Sequence, residues 1–153
     1  MTMVQSLLQI VAAIVGTSAF AVLFEVPRKH IAFCGLTGGI GWLIYLAAQS
    51  YFHSIYAATL LAAIGLAACS RAFATLRKAP SIIFLICGIF TLVPGAGIYY
   101  FAYYILTGEN TKSVANGLSS IKIMLLIALG IILAYSLPYQ LFGWKKEPKK
   151  DEK

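Results

Sequence analysis

Leu92-Val93-Pro94-Gly95-Ala96-Gly97 lies inside an apolar run that extends over residues 81–106. As one helix that run would be about 39 Å long at ~1.5 Å per residue, against a bilayer hydrocarbon core of about 30 Å. Pro94 lacks a backbone donor and its ring collides with the preceding turn, while Gly95 and Gly97 each weaken a helix further. Irregular backbone at membrane depth is tolerated only where protein or a water-filled cavity covers it. The stretch therefore predicts two half-helices, 81–93 and 97–106, with a break at 94–97. The second half-helix would turn its free N–H groups and positive dipole end toward an interior cavity, as anion sites at helix N-termini do. Pro94, Gly95, Ala96 and Gly97 become candidate substrate-binding residues. Of Tyr99, Tyr100, Tyr103 and Tyr104, some belong to an outer aromatic belt, and Tyr99 or Tyr100 is within reach of a ligand. A kink that serves packing alone is the competing account.

Working outward, four more runs approach the length of a spanning helix: 4–24, 31–48, 52–70 and 118–137. The glycine-rich second run is the weakest of them. Composition agrees with a membrane protein. Of the 153 residues 60% are apolar and only 11% are charged, against roughly 25% charged in an ordinary soluble domain. Eight of the charged residues fall in the last nine positions, so too few remain to build a water-soluble surface over the rest. Soluble enzymes, nucleic-acid-binding domains and disordered tails are excluded on that count. The expected fold is an all-α integral membrane protein of about five transmembrane helices, the fourth broken at Pro94-Gly95. A transmembrane domain over 1–144 is followed by a charged tail, 145–153.

The formal charge of +7 has to be read by position relative to a bilayer. Five alternating spans collect Arg28, Lys29, Arg71, Arg77, Lys78 and the five lysines of the tail on one side, leaving only Lys112 and Lys122 on the other. The positive-inside rule makes the basic side cytoplasmic, with the N-terminus out and the tail in, as expected of a plasma-membrane protein. The tail lysines lie where they can meet anionic lipid headgroups. The first run lacks the basic n-region of a signal peptide and is long for its apolar core, so it reads as an uncleaved helix.

Small residues recur where helices would approach closely: Gly35, Gly38, Gly39 and Gly41 in the second run, and Ala58, Ala62 and Gly65 in the third. Thr37-Gly38-Gly39-Ile40-Gly41 superficially matches a phosphate-binding loop, but no Lys-Ser/Thr pair follows it. Cys34, Cys69 and Cys87 show no metal-ligand spacing and read as packing residues. His30 and His53 have no partner at helical spacing, so neither a metal centre nor a Ser/His dyad is indicated. Glu25, Arg71 and Glu109 all read as falling at helix ends, and Lys122 as snorkelling from the outer turn of the last helix. No motif calls for a cofactor, and no nucleophile with a base calls for an enzyme.

Phe24-Glu25-Val26-Pro27 before the glycine-rich run, and Lys78-Ala79-Pro80 leading to Val93-Pro94-Gly95-Ala96-Gly97-Ile98-Tyr99, resemble the C-terminal half of the threonine/serine exporter family. The similarity covers roughly residues 16–133. In that family the two halves occur fused, giving an exporter of about ten spans. They also occur as separate chains, as in the succinate exporters with their YjjB-like small subunit. The resemblance thus implies a small subunit that works with a larger membrane subunit resembling the N-terminal half, and exports a carboxylate-bearing metabolite such as threonine, serine or succinate. A homo-oligomer is a further assembly left open. The competing reading is a non-transporting membrane scaffold or assembly protein.

Overall fold

A computed structural model describes residues 3–136 as six helices. They are α1 (Met3–Leu23), α2 (Arg28–Phe52), α3 (Ile55–Arg77), α4 (Ser81–Ile89), α5 (Gly95–Leu106) and α6 (Asn110–Ser136). No strand occurs among the described residues. Four of the helices, α1, α2, α3 and α6, are each long and apolar enough to cross a membrane. The protein is an all-α membrane protein. The charged tail at 145–153 lies outside the described residues.

Turn chemistry sets the helix ends, and it lengthens several helices beyond their apolar runs. Pro27 and Pro80 stand immediately before α2 and α4, where a missing N–H costs nothing. Lys78 adopts the left-handed conformation at φ 48° and ends α3, with its N–H on the Ala74 carbonyl. His53 ends α2 in the same way, at φ 51°. Helix α3 therefore runs to Arg77, not to residue 70, and Arg71 lies inside it instead of at its end.

Residue pairs fix the direction of each helix. Trp42 meets Gln9, and Gly38 meets Thr17, so α2 runs antiparallel to α1. Gly41 meets Leu66 and Phe33 meets Phe73, so α3 reverses again. Tyr56 with Ser119, Ala63 with Gly130, and Arg71 with Ala134 rise together, which makes α6 parallel to α3. The chain between them must therefore return. Helix α4 follows the direction of α2, with His30 on Phe84 and Thr37 on Gly88. Helix α5 is antiparallel to α6, with Gly97 at Ser120 and Phe101 at Gly117, and so continues in the direction of α4.

Small residues make these approaches possible. A Cβ on Gly35, Gly38 or Gly39 would collide with Ser18, Thr17 or Ile14 of α1, and one on Gly65 would collide with Ile44. Ala58 and Ala62 are fully buried. One core gathers Ala62, Ala63, Leu66, Ala67, Leu85, Leu92, Ile127 and Ala134 between α3, α4 and α6. A second holds Ala21, Cys34, Phe84 and Cys87 between α1, α2 and α4. There the Cys34 thiol donates to the Ile83 carbonyl at 3.9 Å. Arg28, Lys29, Arg77 and Lys78 share one end of the bundle, where the Arg77 guanidinium donates to the Lys29 carbonyl at 3.1 Å.

Candidate functional site

The interruption falls at 90–94, one turn earlier than the glycines suggest. Proline explains the direction of the shift. Its missing N–H and its ring disturb the residues that precede it, whereas Pro94 itself is compatible with starting a helix. Helix α4 accordingly stops at Ile89, and α5 resumes at Gly95. The break is stitched by short-range bonds: Thr91 N–H and Thr91 Oγ1 both donate to the Gly88 carbonyl, at 3.2 and 2.8 Å, and Leu92 N–H donates to Ile89 at 2.9 Å. Gly95 N–H reaches Val93 at 2.8 Å, and Ile98 N–H closes the first full turn on Pro94 at 3.1 Å.

Two sides of the break differ. On one side Phe90 stacks on Phe20 with ring centroids 4.4 Å apart, and Phe90 and Thr91 close a cavity of about 330 Å³ between α1, α2 and the break. Gln9, Thr17 and Trp42 also line it, and Trp42 Nε1 donates to Gln9 Oε1 at 3.4 Å. None of Pro94, Gly95, Ala96, Gly97, Tyr99 and Tyr100 lines that cavity. Gly95 has open space where a side chain would stand. Gly97 faces the Ser120 hydroxyl, so its lack of a side chain serves the α5–α6 approach. Tyr99 and Tyr100 are exposed, at 62% and 45%, and stack in rows with Tyr103 and Tyr104. Among the described residues α5 packs against α6 alone. That pair is held by Ser113 Oγ donating to the Phe101 carbonyl at 2.9 Å.

The polar groups buried in the bundle lie elsewhere. Arg71, only 2% exposed, sits almost two turns inside α3. Its Nη1 donates to the Ala134 carbonyl in the last turn of α6, and its guanidinium lies 5.6 Å from the centre of the Tyr135 ring. It also lines a cavity of about 280 Å³ with Ala74, Thr75 and the start of α4 at Ala79, Pro80, Ser81 and Ile82. Sequence reasoning missed this residue because hydropathy fades at Ser70. The signal that would have found it is Lys78-Ala79-Pro80, which marks the true helix end. His30 is also buried, at 4%, with its ring edge-on to Phe84 and with no hydrogen-bond partner for Nδ1 among the described residues. Lys122 stands three turns into α6 on its exposed side. No group of His, Cys, Asp and Glu able to hold a metal occurs among the described residues.

Long apolar helices, close small-residue packing, and two short co-directional helices separated by irregular backbone define a polytopic membrane protein with a discontinuous helix, a construction suited to transport. The family model for the threonine/serine exporters matches residues 9–137, and the chain belongs to that family. No curated protein and no solved structure matches the chain.

Proposed function

We propose that this chain is one subunit of an exporter of small carboxylate-bearing metabolites, threonine and serine first and a dicarboxylate such as succinate second. On this reading it works with a larger membrane subunit. The observation that carries the proposal is the passage α4–break–α5 in a chain of the exporter family. Two pieces of one direction, neither long enough to span, make the return between the parallel helices α3 and α6. Counting that return as one crossing gives five. The cluster of Arg28, Lys29, Arg77 and Lys78 at one end supports a cytoplasmic assignment of that face by the positive-inside rule. A larger partner is favoured by α5, which buries no residue in this chain and leaves Tyr99, Tyr103 and Leu106 uncovered.

The deciding experiment expresses the chain alone and together with a larger membrane protein resembling the N-terminal half of the family. Efflux of radiolabelled threonine, serine and succinate is then followed. Export is expected only from the pair, with the two chains co-purifying. Assembly without export of any of the three would make the chain a scaffold. Export by the purified chain alone in liposomes would remove the need for a partner.

A further inference from the structure

We propose that His30 is a pH-sensitive latch at the basic end of the bundle: uncharged, its imidazole holds α4 against α2, and a proton on it releases α4. An unsatisfied atom carries the argument. His30 is 4% exposed, and its Nδ1 has no hydrogen-bond partner among the described residues. Buried side-chain nitrogens generally find a partner, so an exception calls for its own account. Backbone, not a polar contact, places this ring. Pro27 sets the start of α2, and His30 N–H closes the first turn on the Pro27 carbonyl at 2.8 Å. The imidazole then lands edge-on to Phe84 of α4, with ring centroids 5.7 Å apart.

Apolar groups fill the space beyond it. Phe84, Cys34 and Cys87 are at most 1% exposed, and Cys34, one turn after His30, donates to the Ile83 carbonyl of α4. An uncharged imidazole packs there as an aromatic ring. A charged one presents two N–H donors, and at Nδ1 nothing among the described residues accepts. The charged groups around it are cations. On its own helix they are Arg28 and Lys29. From α3 come Lys78 at the helix cap and Arg77, whose guanidinium donates to the Lys29 carbonyl at 3.1 Å, while Arg71 lies deeper and holds Ala134 of α6. Neither α1 nor α4 contains a charged residue, and the titratable group of α4 is the Cys87 thiol. The carboxylate nearest in sequence, Glu25, stands exposed in the turn after α1. A proton on His30 therefore adds an unpaired buried charge to a positive cluster. Relief comes from swinging the ring out to water at the helix start, which takes it off Phe84 and opens the seam over Cys34. Because α4 runs directly into the break at 90–94, that seam carries the first half of the interrupted helix. Buried histidines convert acidity into movement through bistable contacts of this kind. A histidine that merely fills space beside Phe84 would leave the seam indifferent to pH.

The test reads the seam through Cys34 in the whole chain in membrane vesicles, with Cys69 and Cys87 replaced by Ala, and needs no export activity. Labelling by 4,4′-dithiodipyridine, a permeant disulfide that still exchanges with thiols in acid, is timed at about pH 8 and about pH 5, equal on both sides, a range that brackets imidazole titration. Each rate is divided by that of the same chain unfolded in dodecyl sulfate and urea at the same pH, which cancels the intrinsic reactivity of the thiol. With His30 present, protection should fall about tenfold or more in acid and return on neutralisation. His30→Phe, which keeps a ring and takes no proton, should stay protected at both values. His30→Arg, permanently charged, should be unprotected at both. Should either variant fail to insert, His30→Gln, polar and uncharged, should hold a protection that does not change with pH, and judges the proposal in its place. Constant protection in the chain that retains His30, or an equal acid loss in an inserted Phe or Gln variant, overturns the latch.

Discussion

Glycines in this chain carry two different meanings, and neighbouring atoms separate them. A Cβ on Gly130 would lie 2.7 Å from the Ala63 Cβ and 3.0 Å from the Leu60 carbonyl oxygen, so α3 and α6 touch through backbone that has no room to yield. A Cβ on Gly95 would meet nothing within 4 Å. Gly130→Leu should therefore destabilise the purified protein by about 1–3 kcal/mol through overpacking, or more if the helices separate. Gly95→Ala should leave stability unchanged or slightly higher, since it removes backbone freedom from a helix start. Thermal unfolding in detergent distinguishes these outcomes, and a large loss in Gly95→Ala would mean that the open side of α5 is covered by something else. The small residues themselves were plain in the sequence, because glycine and alanine at helical spacing in an apolar run have few other uses in lipid. Their partners were not plain. Nothing local connects Gly38 to Thr17 or brings Cys34 to Cys87, and Arg71 was hidden because a hydropathy profile ends where charge begins, while a helix ends where its cap is.

At the scale of an element, the interruption between α4 and α5 was legible and its position was off by a turn. The residue type was read correctly as a breaker, but proline disrupts what comes before it, so Pro94 opens α5 and the irregular segment is 90–94. The early start of α6 was illegible for a different reason. Its first two turns, from Asn110, are polar, and they are helical because the Ser113 hydroxyl and the close approach at Gly117 tie them to α5. If the break is needed for export, joining the two pieces should abolish it. Replacing Pro94 by Ala and Gly95 by Leu favours a continuous helix by about 3 kcal/mol and about 1 kcal/mol on exposed-helix scales, reduced by the surrounding packing. The expected product inserts and co-purifies with its partner but exports little. Normal export rates from an assembled double variant would reduce the break to a packing kink.

For the whole molecule, the basic end and its opposite should lie on different sides of the membrane. A cysteine placed at Asn110, in a background without native cysteines, should be labelled from outside the cell by an impermeant maleimide, and one placed at Arg28 should not. The reverse pattern refutes the orientation. Helix directions add a condition on how such a chain is joined to others. On the proposed five-crossing topology α1 opens on one face of the membrane and α6 closes on the opposite one, so the unit has odd parity. A second odd unit fused in front of it would have to end outside, and therefore begin inside. Two such units in tandem make an even-numbered protein with both outer ends in the cytoplasm, whereas a leading partner whose own ends both lie in the cytoplasm, joined by a short linker, would force one of the two to invert. Covalent fusion therefore discriminates among partners by the side on which the joined end lies, before any surface is matched.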